Sequence, residues 1–316
     1  MTPQYESDRE FLVGFMKKYL DALVAHDPGA VPFCQEVKFV QNTANIPVGK
    51  GLWVTASEGP TDYQIFAADP EAQQVACLVM MKDLGRDLLL GARLKLEGLK
   101  IREAEHHVVK DPDSGPFGKG ALENLKIPCP GLLEDVPVAE RTPRWQLLKI
   151  GGSYYDALQD NDGKACPFAK ESERHENGMQ TAPMPEVSTV EVDKLDPEMR
   201  KMFEAMTSSP LDPEENTVEW QLESGQFTYI TAIRNRRMLI ADQQKGLAVG
   251  FSNFYHDGVV KRYTHKFRSG KTEERDAFQG AFNLPAMHMF KIRNGLVYEI
   301  EAMGYITPYG TKSGWE

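Results

Sequence analysis

The spacing of apolar and polar positions divides the chain into helical and strand-like stretches. Phe11, Leu12, Phe15, Tyr19 and Leu23 recur at helical spacing, behind Ser7 and Glu10 at capping-box spacing. This predicts a helix from Ser7 that stops at His26-Asp27-Pro28-Gly29. Residues 37–42 read as a short strand, and 46–60 as a loop broken by glycine and proline. Strands are expected over 62–67, 73–82, 86–96 and 100–110, with turns at Ala68-Asp69-Pro70-Glu71 and Gly98. Residues 111–143 hold many prolines and glycines without periodicity and read as a linker. A helix is expected again over 144–158 and a short strand over 173–178. Beyond lie an expected loop over 182–192, a helix over 196–206 and a turn over 209–216. Strands are expected over 219–233, 237–243, 247–255, 259–267, 286–292 and 296–305. His256 and His265 sit near Asp257-Gly258, where an exposed hairpin is expected, and the tail 309–315 is expected to fold back on the protein.

The same order of elements appears twice because part of the sequence does. Residues 19–42 lie on 154–177 at a constant offset of 135 without a gap, and ten of the 24 pairs are identical. Tyr19/Tyr154, Asp21/Asp156, Asp27/Asp162 and Asn42/Asn177 are among them. A second echo, at an offset of 196, places Leu94-Lys95-Leu96 and Glu103-Ala104-Glu105 on Phe290-Lys291-Ile292 and Glu299-Ile300-Glu301. The offsets differ by 61, so the second copy carries an insertion, placed around 180–240. The prediction is an α+β chain of two tandem domains, 1–110 and 144–316, joined by the linker 111–143.

At 316 residues each domain is long enough to bury a core. A net charge of −10 argues against a nucleic-acid partner, which needs basic patches. No apolar run approaches a membrane span and no signal peptide is seen, so the expectation is a cytoplasmic protein without a membrane partner. Cys34, Cys77, Cys129 and Cys166 show no metal or disulfide spacing and are expected to be reduced thiols. No metal is expected from this spacing. His106-His107 is not a metal motif, because neighbours on a strand point to opposite faces.

A helix ending Tyr19-Leu20-Asp21-Ala22-Leu23 (Tyr154 to Leu158 in the repeat), a broken Asp, a short strand and then antiparallel strands resemble the NTF2-like, or SnoaL-like, superfamily. The tail motifs Pro308-Tyr309-Gly310 and Ser313-Gly314-Trp315 resemble those of its two-copy members. The resemblance implies two cones, each a curved antiparallel sheet wrapped around N-terminal helices, of the steroid isomerase, scytalone dehydratase and polyketide cyclase type. One such fold hosts many chemistries. Aligned to steroid isomerases, the helix tyrosine falls on Tyr19 and Tyr154. The base falls on Asn42 and Asn177, and the second oxyanion donor on Ala92 and His288. A neutral amide at the base position means that isomerase chemistry is not expected unchanged.

Alternation along 102–110 sends His106 inward, and it groups His175 with Asn177. The second cone is thus expected to collect Tyr154, His175, Asn177 and His288 as catalytic residues. The first would hold Tyr19, Asn42 and His106 as substrate-binding residues. A histidine on an inner face is more commonly a hydrogen-bonded core residue, but convergence with a tyrosine and an amide suits acid–base chemistry. Asp21 and Asp156 read as a solvated helix face, Asp27 and Asp162 as caps, and the Glu103/Glu105 and Glu299/Glu301 pairs as outer-face charges. The expected function is a cofactor-independent lyase, dehydratase or isomerase. Its substrate would be a small hydrophobic compound, aromatic or an oxygenated ring; lignin-like diaryl compounds would suit such a site, and nothing in the sequence selects them. The alternative is a non-catalytic ligand-binding or assembly protein. In either case the resemblance implies an internal pseudo-dimer and admits a homo-oligomer.

Overall fold

The computed structural model describes residues 3–113, 121–184, 213–278 and 280–316. Helix α1 (Pro3–Val24) begins before the expected Ser7. Leu12, Met16, Tyr19, Leu20 and Leu23 form its buried stripe, and Asp21 is exposed. Asp27 then caps a single turn, Pro28–Ala30, its Oδ1 accepting from the Gly29 N–H at 2.9 Å. Strands β1 (Phe33–Gln41) and β2 (Ala44–Asn45) follow. Where a loop was expected, a helical turn, α2 (Leu52–Thr55), buries Leu52 and Trp53 against α1. Four strands complete this half after the short β3 (Ala56–Glu58): β4 (Gln64–Asp69), β5 (Gln74–Asp83), β6 (Arg86–Glu97) and β7 (Lys100–Lys110).

The described part of the linker holds three helical turns: α3 (Ala121–Asn124), α4 (Pro130–Leu133) and a tighter turn at Val138–Glu140. The second half opens with α5 (Arg144–Asp160), β8 (Phe168–Glu176) and β9 (Met179–Ala182). The expected helix over 196–206 lies outside the described residues. The strand expected over 219–233 is instead a short helix, Val218–Glu223, and a turn. Thr217 Oγ1 accepts from the Trp220 N–H at 3.1 Å, and Val218 and Leu222, four apart, both bury. Then come β10 (Ala232–Asp242), β11 (Leu247–His256), β12 (Arg262–Lys266), β13 (Thr272–Asp276), β14 (Phe282–Arg293), β15 (Leu296–Gly304) and β16 (Thr307–Pro308). The β12–β13 hairpin is a separate two-stranded sheet. Its surroundings are not the exposed surface expected. His256 is buried between the Tyr229 and Phe278 carbonyls at 2.6 and 2.9 Å, and His265 is buried too.

The two large sheets, seven-stranded and curved, share one strand order. The first runs β2-β1-β7-β6-β5, with β3 and β4 both paired to β5; the second runs β9-β8-β15-β14-β11-β10, with β16 paired to β14. Both are antiparallel except for one parallel pair in the same place, β1 with β7 and β8 with β15. An asparagine in the left-handed region closes each parallel pair. Asn42 (φ 45°) donates to the Val108 carbonyl at 2.9 Å and accepts from its N–H at 2.7 Å. Asn177 (φ 50°) does the same at Gly304, at 2.9 and 3.0 Å. Single residues of this type tolerate that backbone well.

Alternation along the strands gives each sheet two apolar faces. In β6, Leu88, Leu90, Ala92 and Leu94 join the core around α1, while Leu89 joins a third core between the sheets. In β14, Ala286 and Phe290 face α5, while Met287 and Met289 face the other half. The two sheets therefore pack back to back. Gly91 lets the sheets come close: a Cβ there would overlap the Met303 and Met287 sulfurs. Two reciprocal clasps pin the edge of this contact. Arg9 pairs with Asp242 at 2.8 Å, and Asp242 accepts from the Ala68 N–H at 3.0 Å. Arg144 pairs with Asp69 at 3.0 Å, and Asp69 accepts from the Ala241 N–H at 3.0 Å. Arg9 and Arg144 stand at the same 135-residue offset as the repeat. No helix among the described residues is long and apolar enough to cross a membrane.

Candidate functional site

The inner face of each sheet packs on its helix through a cluster of buried residues. In the first, Tyr19 OH and His106 Nε2 are hydrogen-bonded at 2.9 Å, with Trp53 edge-on to Tyr19 and Phe39 edge-on to His106. In the second, His288 Nδ1 bonds Tyr155 OH at 3.2 Å, and the Tyr154 ring lies 5.5 Å from His288. Tyr154 OH accepts instead from Arg174 Nη1 at 3.5 Å. The two histidines occupy opposite sides of one cross-strand pair. His106 faces Ala92 in the first sheet, and Ala302 faces His288 in the second. Burial pulls both imidazoles down to about 3, with His107 beside His106 and Arg174 beside His288 adding to it. Burial pushes the Tyr154 hydroxyl up to about 12 against the pull of Arg174. Groups held so far from neutrality are poorly matched to proton transfer near pH 7.

Tyr154 and His288 thus meet, but His175 and Asn177 do not join them. The β8–β15 register sets Arg174 beside Ile300 and His175 beside Glu301, so Arg174 enters the cone and His175 goes to the back. Asn177 lies past the strand end and is spent on the Gly304 clasp, as Asn42 is on Val108. Neither amide is available to hold an oxyanion.

His175 instead faces a cavity of about 360 Å³ behind the second sheet. Ile127, Pro128 and Pro130 of the linker supply an apolar wall; His175, Glu301 and Cys129 supply polar groups. His175 Nδ1 lies 3.3 Å from Glu301 Oε1, and Tyr63 OH, from the first half, donates to Glu301 Oε2 at 3.2 Å. Donor atoms of Cys129, Glu173 and His175 all lie within 4.8 Å of one another. Glu299 stands opposite Glu173 in the ladder. Its Oε2 is buried with no hydrogen-bond partner among the described residues. Helix α4 approaches so closely that a Cβ at Gly131 would overlap Glu299 Oε1. Burial raises Glu299 to about 7, opposed by Lys291 and reinforced by Glu301 and Glu173. Burial opposes protonation of His175, but the Glu301 hydrogen bond and charge outweigh it and raise its pKa. A second cavity, of about 200 Å³, lies along the Arg9 and Arg144 clasps.

The corresponding back of the first sheet is neutralised. Glu105 accepts from Arg93 Nε at 3.1 Å and Arg237 Nη2 at 2.6 Å, and Arg93 also reaches Glu103 at 2.8 Å. Trp315 of the tail stacks on Lys38, Arg93 and Arg237. Both glutamate pairs lie on the outer faces, as expected, but those faces are covered: Glu105 is 1% exposed and Glu301 4%. At the repeat offset, Met289 replaces Arg93, and the cation beside Glu299 is Lys291. That replacement was readable from the echo and is the signal that sequence reasoning passed over. Cys129, Glu173 and Tyr63 carried no such signal.

Fold and site together define a two-sheet α+β protein with a polar pocket at the edge of its back-to-back contact. The chain belongs to the family described as Domain of unknown function (DUF8021), whose model matches residues 140–304, just over half of it. A comparison with curated proteins finds no match. Three similar solved structures each carry the description "putative polyketide cyclase". The one from Silicibacter sp. TM1040 is 13% identical and covers 51% of this chain and 89% of its own, with a TM-score of 0.25. That from Xanthomonas campestris pv. campestris is 12% identical, covering 51% and 90%, with a TM-score of 0.26. That from Pseudomonas putida KT2440 is 13% identical, covering 51% and 91%, with a TM-score of 0.24.

Proposed function

We propose that the chain is an enzyme of lyase, dehydratase or isomerase type acting on a small oxygenated, partly apolar molecule, and that its site is the pocket behind the second sheet. One observation carries the reading: His175, fixed by Glu301, faces a cavity whose other wall is apolar linker. Concave sites with an apolar body and a few convergent polar groups are the usual form of small-molecule sites. An aromatic or cyclic substrate would lie against Ile127, Pro128 and Pro130, with its oxygen toward His175. Residues 1–110 and 144–316 act as two units forming an internal pseudo-dimer, a reading supported by the reciprocal arginine clasps and the shared strand order. The cones serve as cores that hold β8 and β15 in place.

The test is turnover of a panel of small oxygenated aromatic compounds by the full chain, followed by mass spectrometry. Glu301→Gln and Ile127→Arg should abolish turnover, while Tyr154→Phe should leave it unchanged. Loss of turnover in Tyr154→Phe with retention in Glu301→Gln would return the chemistry to the cone. Binding without turnover of any compound would favour the non-catalytic alternative.

A further inference from the structure

We infer that the same pocket binds one divalent transition-metal ion of the zinc or cobalt class, held by Cys129 Sγ, a Glu173 carboxylate oxygen and a ring nitrogen of His175. The inference rests on this pocket being the working site, and not on any turnover there. A thiolate, an imidazole and a carboxylate are a ligand set suited to borderline-soft metals and unsuited to magnesium or calcium. Metal–ligand bonds of about 2.0–2.3 Å place tetrahedral donors roughly 3.3–3.8 Å apart. The three donor atoms already lie within 4.8 Å of one another, so about 1 Å of side-chain closure suffices.

The surroundings fit a ligated histidine. With Nδ1 committed to Glu301, Nε2 is the nitrogen left for a metal, and Glu301 is itself anchored by Tyr63. Carboxylate–histidine–metal chains of this form fix the tautomer and raise ligand basicity. Charge points the same way. Glu173, Glu299 and Glu301 gather where the first half has Arg93 and Arg237 beside its glutamates, and the arginine position is now Met289. Lys291 stands opposite Glu299, and a divalent cation would add positive charge among the three carboxylates. Three protein ligands leave a fourth position toward the cavity, where water or a substrate oxygen would bind. Cys129 belongs to the linker and the other two ligands to β8, so the ion would also tie the linker to the sheet.

The experiment is a cobalt(II) titration of the full chain after treatment with a chelator. One equivalent should bind, giving visible bands of a tetrahedral site and a near-ultraviolet sulfur-to-cobalt band. Cys129→Ser should remove the sulfur band. Glu301→Gln, which keeps every ligand, should weaken binding about 10- to 100-fold. Circular dichroism of each variant checks that the fold persists. No stoichiometric uptake by the wild-type chain, or a cobalt spectrum that Cys129→Ser leaves unchanged, overturns the inference. Turnover without metal uptake would remove the ion and leave the proposed function standing. Uptake without turnover would do the reverse.

Discussion

The backs of the two sheets start from the same pair of glutamates and end in different states. Glu103 and Glu105 sit among Arg93, Arg237 and a stacked Trp315, so the buried carboxylate at 105 is fully compensated and burial of its neighbours is dense. Its pKa stays well below the ordinary range despite burial, because His107, Arg237 and Arg93 hold it there. Glu299 and Glu301 have lost the arginine to Met289 and gained Glu173, His175, Cys129 and a cavity. A buried carboxylate is stable only when a partner balances it. The difference teaches where to look in a protein of two like sheets: at the place where one sheet lacks the compensation that the other has.

Grafting the second back onto the first gives the largest expected effect. Arg93→Met leaves Glu105 with one arginine fewer in a dry setting, and urea unfolding should show a loss of about 3–5 kcal/mol. A loss under about 1 kcal/mol would mean that the neutral back is not held by charge pairing. Next come the clasps. Arg9→Met should cost about 1.5–3 kcal/mol, and Arg144→Met less, because Arg144 is the more exposed of the two. Equal costs would argue against burial as the cause.

The third prediction concerns the interiors. His106 and His288 titrate near 3 when folded and near 6.5 when unfolded, so below pH 6.5 the unfolded chain binds the extra protons. Stability is therefore full above about pH 6.5 and falls as pH drops toward 3, by about 2 kcal/mol per histidine between pH 6.5 and 5. A flat stability profile over that interval would mean that the imidazoles are not held neutral. The smallest effect has the opposite sign. Glu299→Gln relieves a like-charge pair with Glu173 across the ladder and should raise stability by about 0.2–1 kcal/mol, whereas Glu105→Gln should lower it. A loss of stability in Glu299→Gln would mean that Lys291 already balances the second back.

The strands from Gln64 to Lys110 were legible because alternation and turn residues agree there. The helix at Val218 was not, because six residues of mixed polarity read equally well with either period. Tyr154 and His288 meet as alignment implied. His175 was sent to the wrong face by counting from Asn177. That residue lies beyond the end of β8, in the left-handed region, so its parity does not carry back along the strand. Cys129 was out of reach altogether: an aperiodic, proline-rich linker gives no face to count from, and only the folded chain brings it to His175.

Tyr63 belongs to one half and steadies Glu301 in the other. Separate identical subunits meeting through one face repeat every substitution on both sides of their axis. Halves joined in one polypeptide escape that rule. A thiol can stand on one side and arginines on the other, so one sheet can carry a pocket that the other lacks.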